Sequence, residues 1–154
     1  MSEILTEGSG SILRVTLNRP AKKNAMTSSM YVSLAEIFND ASKDDGIRVV
    51  LWDAEGDSFS AGNDLEDFLK NPPGAGESPQ ALLANALLNL DKPLIAAVQG
   101  MAVGGGTTLL THCDFVYAGE SAKFQLPFVN LAWSRNLDPP GPCRRAADTS
   151  VLPS

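Results

Sequence analysis

The sequence has 154 residues, of which 44% are hydrophobic and 19% charged, with a formal net charge of −6 at pH 7. This length and composition are typical of a single globular domain with a sizeable core. The acidic balance, with an isoelectric point near 4.6, argues against nucleic acid or an anionic membrane surface as the main partner. No apolar run approaches the roughly 18 residues of a membrane span, and the N-terminus lacks a signal-peptide pattern. Cys113 and Cys143 have neither metal-ligand nor disulfide spacing, so a reducing cytoplasm is the expected compartment.

The first half of the chain predicts a strand–helix–strand unit. Residues 1–10 are polar and form either a frayed end or a first edge strand, whereas residues 12–17 alternate and predict a strand. Thr27 is a candidate N-cap for a helix that ends near Asp44. Residues 47–53 are an almost continuous apolar strand, so we expect a right-handed parallel crossover. The apolar positions that recur at helical spacing are Met30, Leu34, Ile37, Phe38 and Ala41.

The second half predicts a turn-rich loop at residues 71–79, a helix over residues 82–90 and a buried strand over residues 94–98. A tight turn and three glycines are expected to lead directly from this strand into a helix that continues to His112. Two short strands, at residues 115–118 and 122–124, are expected to follow.

Small residues follow two of the predicted strands, at residues 59–65 and in the run Gly104-Gly105-Gly106. Glycines at such places leave backbone N–H groups uncovered, so a ligand can approach the main chain closely. Two turns of this kind can direct two N–H donors at one oxygen, which is what an oxyanion requires. The simpler alternative is a turn in which a strand and a helix pack closely.

These stretches resemble the crotonase superfamily, also called the enoyl-CoA hydratase/isomerase family. The matching segments are residues 17–26, 59–65, 92–106, 113–114 and 124–128, in the family's order and spacing, and the resemblance covers about residues 10–132. It implies an α/β superhelix of strand–strand–helix repeats that binds an acyl-CoA thioester. Coenzyme A enters as part of the substrate, and no separate cofactor is expected. Relatives form trimers or hexamers, an assembly that is doubtful for this chain.

The resemblance assigns the oxyanion-stabilising donors to the backbone N–H groups of Asn63 and Gly105. The loop that holds Lys22, Lys23 and Ala25 would lie along the CoA nucleotide, where a lysine meets phosphate; without the resemblance, the two lysines fit a solvated turn equally well. The remaining residues expected to line the CoA and acyl sites are Ala61, Asp64, Leu65, Met101, Gly104, Thr108 and Phe128.

Both glutamates that hydratases of this family use are missing, because Thr108 and Phe128 stand in their places. Neither side chain can accept a proton at neutral pH. The stretch from Ala61 to Leu65 and the Thr107-Thr108 pair look more like the Δ3-Δ2-enoyl-CoA isomerase branch, whose glutamate can come from a later segment.

Three other titratable residues fit structural roles better than catalytic ones. Asp64 is expected to cap the helix that opens at Leu65, and Asp114 to end the helix before the next strand. His112 is expected to be packed within an apolar helix.

The character of the sequence changes after Ala132, so we divide the chain into a core, residues 1–132, and an aberrant tail, residues 133–154, that composition predicts to be disordered. Codons that encode Trp133 to Pro140 can, read one base earlier, give Leu-Val-Pro-Glu-Phe-Gly-Ser-Ser, which resembles the family at this point. We therefore expect a frameshift and a C-terminally truncated core, a hypothesis that the coding sequence would test.

The function expected from these observations is that of an enoyl-CoA isomerase or a related hydratase-family member, with little or no activity in this chain. Two alternatives remain open: a non-catalytic acyl-CoA-binding module and an inactive fragment.

Overall fold

The computed structural model describes residues 2–71 and 77–127. Its helices and strands follow the chain as β1 (Ile4–Ser9), β2 (Ile12–Leu17), α1 (Ser28–Lys43), β3 (Val49–Ala54), α2 (Leu65–Lys70), α3 (Pro79–Leu88), β4 (Leu94–Val98), β5 (Met101–Val103), α4 (Gly105–Thr108), β6 (Phe115–Ala118) and β7 (Lys123–Gln125). Short 3₁₀ helices cover Pro20–Lys22 and Leu109–His112. Phe128 and the tail, residues 133–154, lie outside the described residues, as does part of the predicted loop at residues 71–79.

The main sheet has the strand order β1-β2-β3-β4-β6. β1 pairs antiparallel with β2, and the other neighbours are parallel. Of the two alternatives for residues 1–10, the edge strand is therefore correct. Parallel strands buried on both faces need long apolar runs, and Val50, Trp52, Leu94 and Ala96 are almost completely buried in β3 and β4.

Helix α1 connects β2 to the parallel strand β3, which confirms the predicted strand–helix–strand unit. Thr27 caps the helix, since its side-chain oxygen accepts from the Met30 N–H, and the helix ends at Lys43. Phe38 presents one face of α1 to Trp52 of β3, at 5.5 Å between ring centroids and in an edge-to-face arrangement. Trp52 packs in the same way against Phe59, at 5.6 Å. This aromatic cluster anchors the segment that begins the first small-residue turn.

A second, much shorter ladder lies beside the main sheet. Met26 bridges Asn63, Ser60 bridges Ala102, and β5 pairs with β7, all in parallel. The segments that begin at β2, β3 and β4 therefore each contribute one strand to the main sheet, a short pairing to the second ladder and helical residues, and β6 and β7 repeat the two pairings. This is the expected repeat of strand, strand and helix.

One local prediction is wrong at the triple glycine. The predicted tight turn is present at Gly100, with φ +60°, but the strand β5 separates it from Gly104. Three residues are too few for an alternating pattern to be visible. The helix after the glycines is also not uniform, since it is α-helical for Gly105–Thr108 and 3₁₀ for Leu109–His112.

Several large apolar side chains near the end of the described region are exposed. They lie on β6 and β7 and just beyond: Phe115, Val116, Tyr117, Phe124 and Leu126. In the described ranges, no helix has the length and apolarity needed to cross a membrane.

Candidate oxyanion-binding site

The bridge between Met26 and Asn63 determines which backbone groups remain open in the first turn. The Met26 N–H donates to the Gly62 carbonyl oxygen (2.7 Å), and the Asp64 N–H donates to the Met26 carbonyl oxygen (2.8 Å). In a parallel pairing of this type, the N–H of the intervening residue points away from the partner. The Asn63 N–H accordingly has no acceptor among the described residues.

Each of the three glycines in the second turn occupies its position for a different structural reason. Gly104 has φ +53° and ψ −116°, a conformation that side chains rarely tolerate, and its N–H donates to the Gln125 carbonyl oxygen (2.8 Å). A Cβ atom at Gly106 would stand 2.8 Å from the Ser60 Cβ, so this glycine permits the close packing that was the simpler alternative. Gly105 opens α4, and its N–H has no acceptor within residues 2–71 and 77–127.

The two turns are in direct contact. A Cβ atom on Gly62, which has φ +87°, would lie 2.7 Å from the Val103 carbonyl oxygen and 3.6 Å from the Gly105 nitrogen. A Cβ atom on Gly105 would lie 3.5 Å from the Asn63 Oδ1 atom. Two backbone donors without acceptors are thus brought to neighbouring positions, an arrangement that suits an oxygen on which negative charge develops.

Ser60 holds the first turn in place through two hydrogen bonds of its hydroxyl. Its hydroxyl donates to the Asn24 carbonyl oxygen (2.9 Å) and accepts from the Gly62 N–H (3.1 Å), and its side chain is fully buried. The Asn24 side chain in turn donates to the carbonyl oxygens of Glu55 and Ser58, each at 2.8 Å. The loop before α1 and the turn after β3 are therefore joined by satisfied polar contacts.

Both carboxylate oxygens of Asp64 accept hydrogen bonds from structural groups. One carboxylate oxygen caps α2 by accepting from the N–H groups of Glu66 (3.0 Å) and Asp67 (3.1 Å), as predicted. The other accepts from the Arg19 guanidinium at 2.6 Å, and the same Arg19 nitrogen donates to the Ala25 carbonyl oxygen at 2.8 Å. The Arg19 hydrogen bond, followed by the contact from Asp67, lowers the pKa of Asp64. A low pKa makes this carboxylate a weak proton acceptor.

The remaining residues expected at the CoA and acyl sites are spread over the surface of this region. Lys23 is exposed and pairs with Asp57, at 2.6 Å between Nζ and Oδ2. Leu65 and Met101 are also exposed, as is Ala61, whose N–H donates to the Lys23 carbonyl oxygen (2.9 Å).

Thr108 is half-buried beside the second turn. Its hydroxyl donates to the Gly105 carbonyl oxygen at 3.2 Å. This hydroxyl therefore contacts the backbone of the residue whose N–H is one of the two open donors.

Asp114 and His112 lie away from this site. The Asp114 carboxylate accepts from the Leu94 N–H at 2.8 Å, so it fastens the last 3₁₀ turn to the start of β4. Both residues line a cavity of about 260 Å³ at that end of β4, together with Lys92, whereas Gly105 lies beyond the other end. Burial lowers the pKa of the half-buried His112.

Sequence reasoning did not identify Tyr31, and it singled out residues 59–65 without assigning the supporting role of Ser60. Tyr31 is 1% exposed, and its hydroxyl donates to the Asn63 Oδ1 atom at 2.6 Å. Helical spacing places Tyr31 on the same face as Leu34 and Phe38, and a buried tyrosine hydroxyl requires a polar partner. That requirement could have indicated its position, although not the identity of the partner.

The comparisons with known proteins agree on one family. The model described as enoyl-CoA hydratase/isomerase matches residues 7–134. Enoyl-CoA delta isomerase 2 of Rattus norvegicus is 40% identical over 137 residues, which cover 85% of this chain and 35% of that protein. The 1,2-epoxyphenylacetyl-CoA isomerase of Escherichia coli is 38% identical over 138 residues, covering 85% of this chain and 53% of that protein.

Among solved structures, that of OdaA from Pseudomonas aeruginosa superposes with a TM-score of 0.80 at 47% identity, covering 85% of this chain and 53% of that chain. The chain thus spans between a third and just over half of the length of these relatives. Because the family match includes most of the described residues and the fold agrees at high identity, the chain belongs to the enoyl-CoA hydratase/isomerase family, with the crotonase fold.

Proposed function

We propose that this protein binds an enoyl-CoA and shifts its double bond through an enolate whose oxygen accepts from the N–H groups of Asn63 and Gly105. The observation that carries the proposal is the contact between the two turns, each of which ends in a backbone donor without an acceptor among the described residues. The name of the rat relative, a delta isomerase, favours this reaction over hydration.

The two donors act because charge grows on the thioester oxygen during proton removal. A preorganised N–H directed at this oxygen contributes on the order of 3 kcal/mol to the transition state, since the donor needs no reorganisation when the charge appears. Polarisation of this kind supports isomerisation and hydration alike. The reaction therefore depends on where a carboxylate lies relative to the acyl chain.

The proton-transferring group is proposed to lie beyond the described residues. Asp64 is occupied by Arg19 and by the start of α2, and Asp114 holds the start of β4. The alternative reading frame after Ala132 would restore a glutamate in the segment from which isomerases of this family can take their base. We assign the base to that segment.

The same observations favour a second candidate, an acyl-CoA-binding module without turnover. Thr108 stands where a hydratase would carry a glutamate, and its hydroxyl is hydrogen-bonded to the Gly105 carbonyl oxygen. A site with two donors and no base would polarise a thioester but would not transfer its proton.

A paired measurement separates these functions. The chain and a version with the restored frame are each titrated with a saturated acyl-CoA by calorimetry, and then given a 3-enoyl-CoA while the conjugated 2-enoyl product is followed by absorbance. Turnover only in the restored version supports the isomerase and places the base after Ala132. Binding by both versions without turnover supports the module, and absence of binding in both refutes the proposed site.

We further propose a cytoplasmic location and, because the trimer or hexamer of the relatives is doubtful for this chain, an altered self-association. The spacing of Cys113 and Cys143 supports a reducing compartment, and no cofactor other than the CoA portion of the substrate is proposed. The exposed apolar side chains of β6 and β7, among them Phe115 and Phe124, support an assembly of several chains. Elution as a 16.3 kDa monomer at micromolar concentration would contradict this assembly.

A further inference from the structure

Tyr31 reaches the candidate site from the body of the protein. Tyr31 is one of the buried residues of α1, as are Met30 and Leu34. Its ring is packed in the core, whereas its hydroxyl lies at the edge of the core and donates to the Asn63 Oδ1 atom at 2.6 Å. The contact joins residues that are 32 positions apart in the chain.

The same hydroxyl also lies against the second turn. A Cβ atom on Gly105 would stand 2.8 Å from the Tyr31 hydroxyl oxygen, so a larger residue would require the tyrosine or the turn to shift. Tyr31 is therefore in contact with both residues whose N–H groups form the proposed oxyanion site. Burial raises the pKa of Tyr31, so the hydroxyl remains protonated and keeps its role as a donor.

Asn63 is held both through its neighbouring backbone groups and through its side chain. Met26 holds the residues on either side, through the Gly62 carbonyl and the Asp64 N–H. Gly62, at φ +87°, has the conformational freedom of a glycine. The Gly62 carbonyl and the Asn63 N–H belong to one planar peptide unit, so the hydrogen bond from Met26 holds the carbonyl side of this unit. The Asn63 side chain, on the other side of the donor, is held by the Tyr31 hydroxyl.

We propose that Tyr31 is a positioning residue that holds the Asn63 side chain, and thereby directs the Asn63 N–H toward the substrate oxygen while it sets the distance to Gly105. The proposal rests on the proposed function, since it concerns the same two donors. Tyr31 does not touch the reacting atoms. A residue that serves only to fill the core would give the same burial, so the test must measure the polarisation of the thioester and not stability alone.

The test uses Tyr31→Phe, which keeps the ring and removes the hydroxyl. The probe is cinnamoyl-CoA, whose conjugated thioester absorbs at longer wavelength when its carbonyl is polarised. We expect the dissociation constant to change less than about twofold, because the CoA contacts remain. We expect the red shift of the bound probe to fall clearly below that of the wild type. In the frame-restored version, Tyr31→Phe should lower kcat about five- to tenfold and leave KM unchanged. This is the effect of losing one neutral hydrogen bond that stabilises only the transition state.

Two further variants make the result specific. Asn63→Ala removes the acceptor and keeps the backbone N–H, so it should reduce the red shift as much as Tyr31→Phe, and the double variant should reduce it no further. Tyr117→Phe is the matched control, because Tyr117 is 68% exposed on β6 and loses the same atom. We expect its spectrum to equal that of the wild type.

The outcomes separate failure of this proposal from failure of the proposed function. If the wild type does not bind the probe, or binds it without a red shift, the oxyanion site itself is refuted. If the wild type gives the red shift and Tyr31→Phe gives the same shift, with or without a lower melting temperature, the hydroxyl serves packing only and the positioning role is overturned. Additive losses in the double variant also overturn it, because the two groups would then act separately.

Discussion

Replacement of Gly62 by alanine should damage the protein at the contact between its two turns. Alanine at φ +87° carries the strain of a left-handed conformation, which costs about 1–2 kcal/mol. In addition, its Cβ would approach the Val103 carbonyl oxygen to 2.7 Å. The turns must then move apart, and overpacking of this kind costs about 1–3 kcal/mol more. We therefore expect Gly62→Ala to lower the free energy of unfolding by about 2–5 kcal/mol, the sum of these two contributions.

Gly10→Ala provides the matched control. Gly10 turns the chain between β1 and β2 at φ +60°, and no atom lies within 4 Å of the position that its Cβ would occupy. This variant carries the backbone strain without the collision, so its loss should be about 1–2 kcal/mol. The difference between the two losses of stability therefore measures the cost of the collision between the turns.

Urea denaturation measures both losses. With a slope of about 1.5 kcal/mol/M, a loss of about 3 kcal/mol lowers the urea midpoint by about 2 M. Gly62→Ala should also weaken the red shift of bound cinnamoyl-CoA, because the alanine displaces the segment that carries the Gly105 N–H. Equal losses of stability in the two variants would refute the argument, since the contact between the turns would then have no energetic consequence.

Three other substitutions test the surroundings of the site. Asp64→Asn should lower the free energy of unfolding at neutral pH. The difference from the wild type should shrink as the pH falls below 3.8, the ordinary pKa of this carboxyl, because the stability that a lowered folded-state pKa contributes is lost in acid. A difference that stays constant during acid denaturation would contradict this. Ser60→Ala leaves the Gly62 N–H and the Asn24 carbonyl without their partner and should cost about 1–3 kcal/mol in urea denaturation, whereas an unchanged midpoint would show that water replaces the hydroxyl. Lys23→Ala removes only an exposed pair with Asp57, so the melting temperature should stay the same. It should raise the dissociation constant for an acyl-CoA but not for the same acyl group on pantetheine, and equal effects on the two ligands would argue against a phosphate contact.

The strands and helix caps could be predicted because their signals are local. The alternation in residues 12–17, the apolar run of β4, and the caps Thr27 and Asp64 each depend on a few neighbouring residues. β5 escaped prediction because it has three residues and follows a glycine turn, so its position depends on pairing with β7. Local patterns contain no information about such a partner.

The candidate site shows the same division between local and distant information. Glycines and small residues marked both turns, but their contact through Gly62 and Val103 joins segments about 40 residues apart in the chain. Helical spacing indicated that the face of Tyr31 is buried, yet its partner Asn63 follows only from the path of the chain. Likewise, the pair of Lys23 with Asp57 could not be foreseen from a loop with two lysines.

A site made of backbone donors also changes where damaging substitutions should occur. No substitution by a residue other than proline removes the N–H of Asn63 or Gly105, so a variant can only change the direction of the donor or the access to it. The direction depends on the residues that support the two turns: Met26 through the bridge, Ser60 through the Gly62 N–H, and Tyr31 through the Asn63 side chain. Ser60→Ala and Tyr31→Phe remove the two supports that side chains provide, so they should impair polarisation of the thioester more than Asn63→Gln does, which keeps an acceptor for Tyr31.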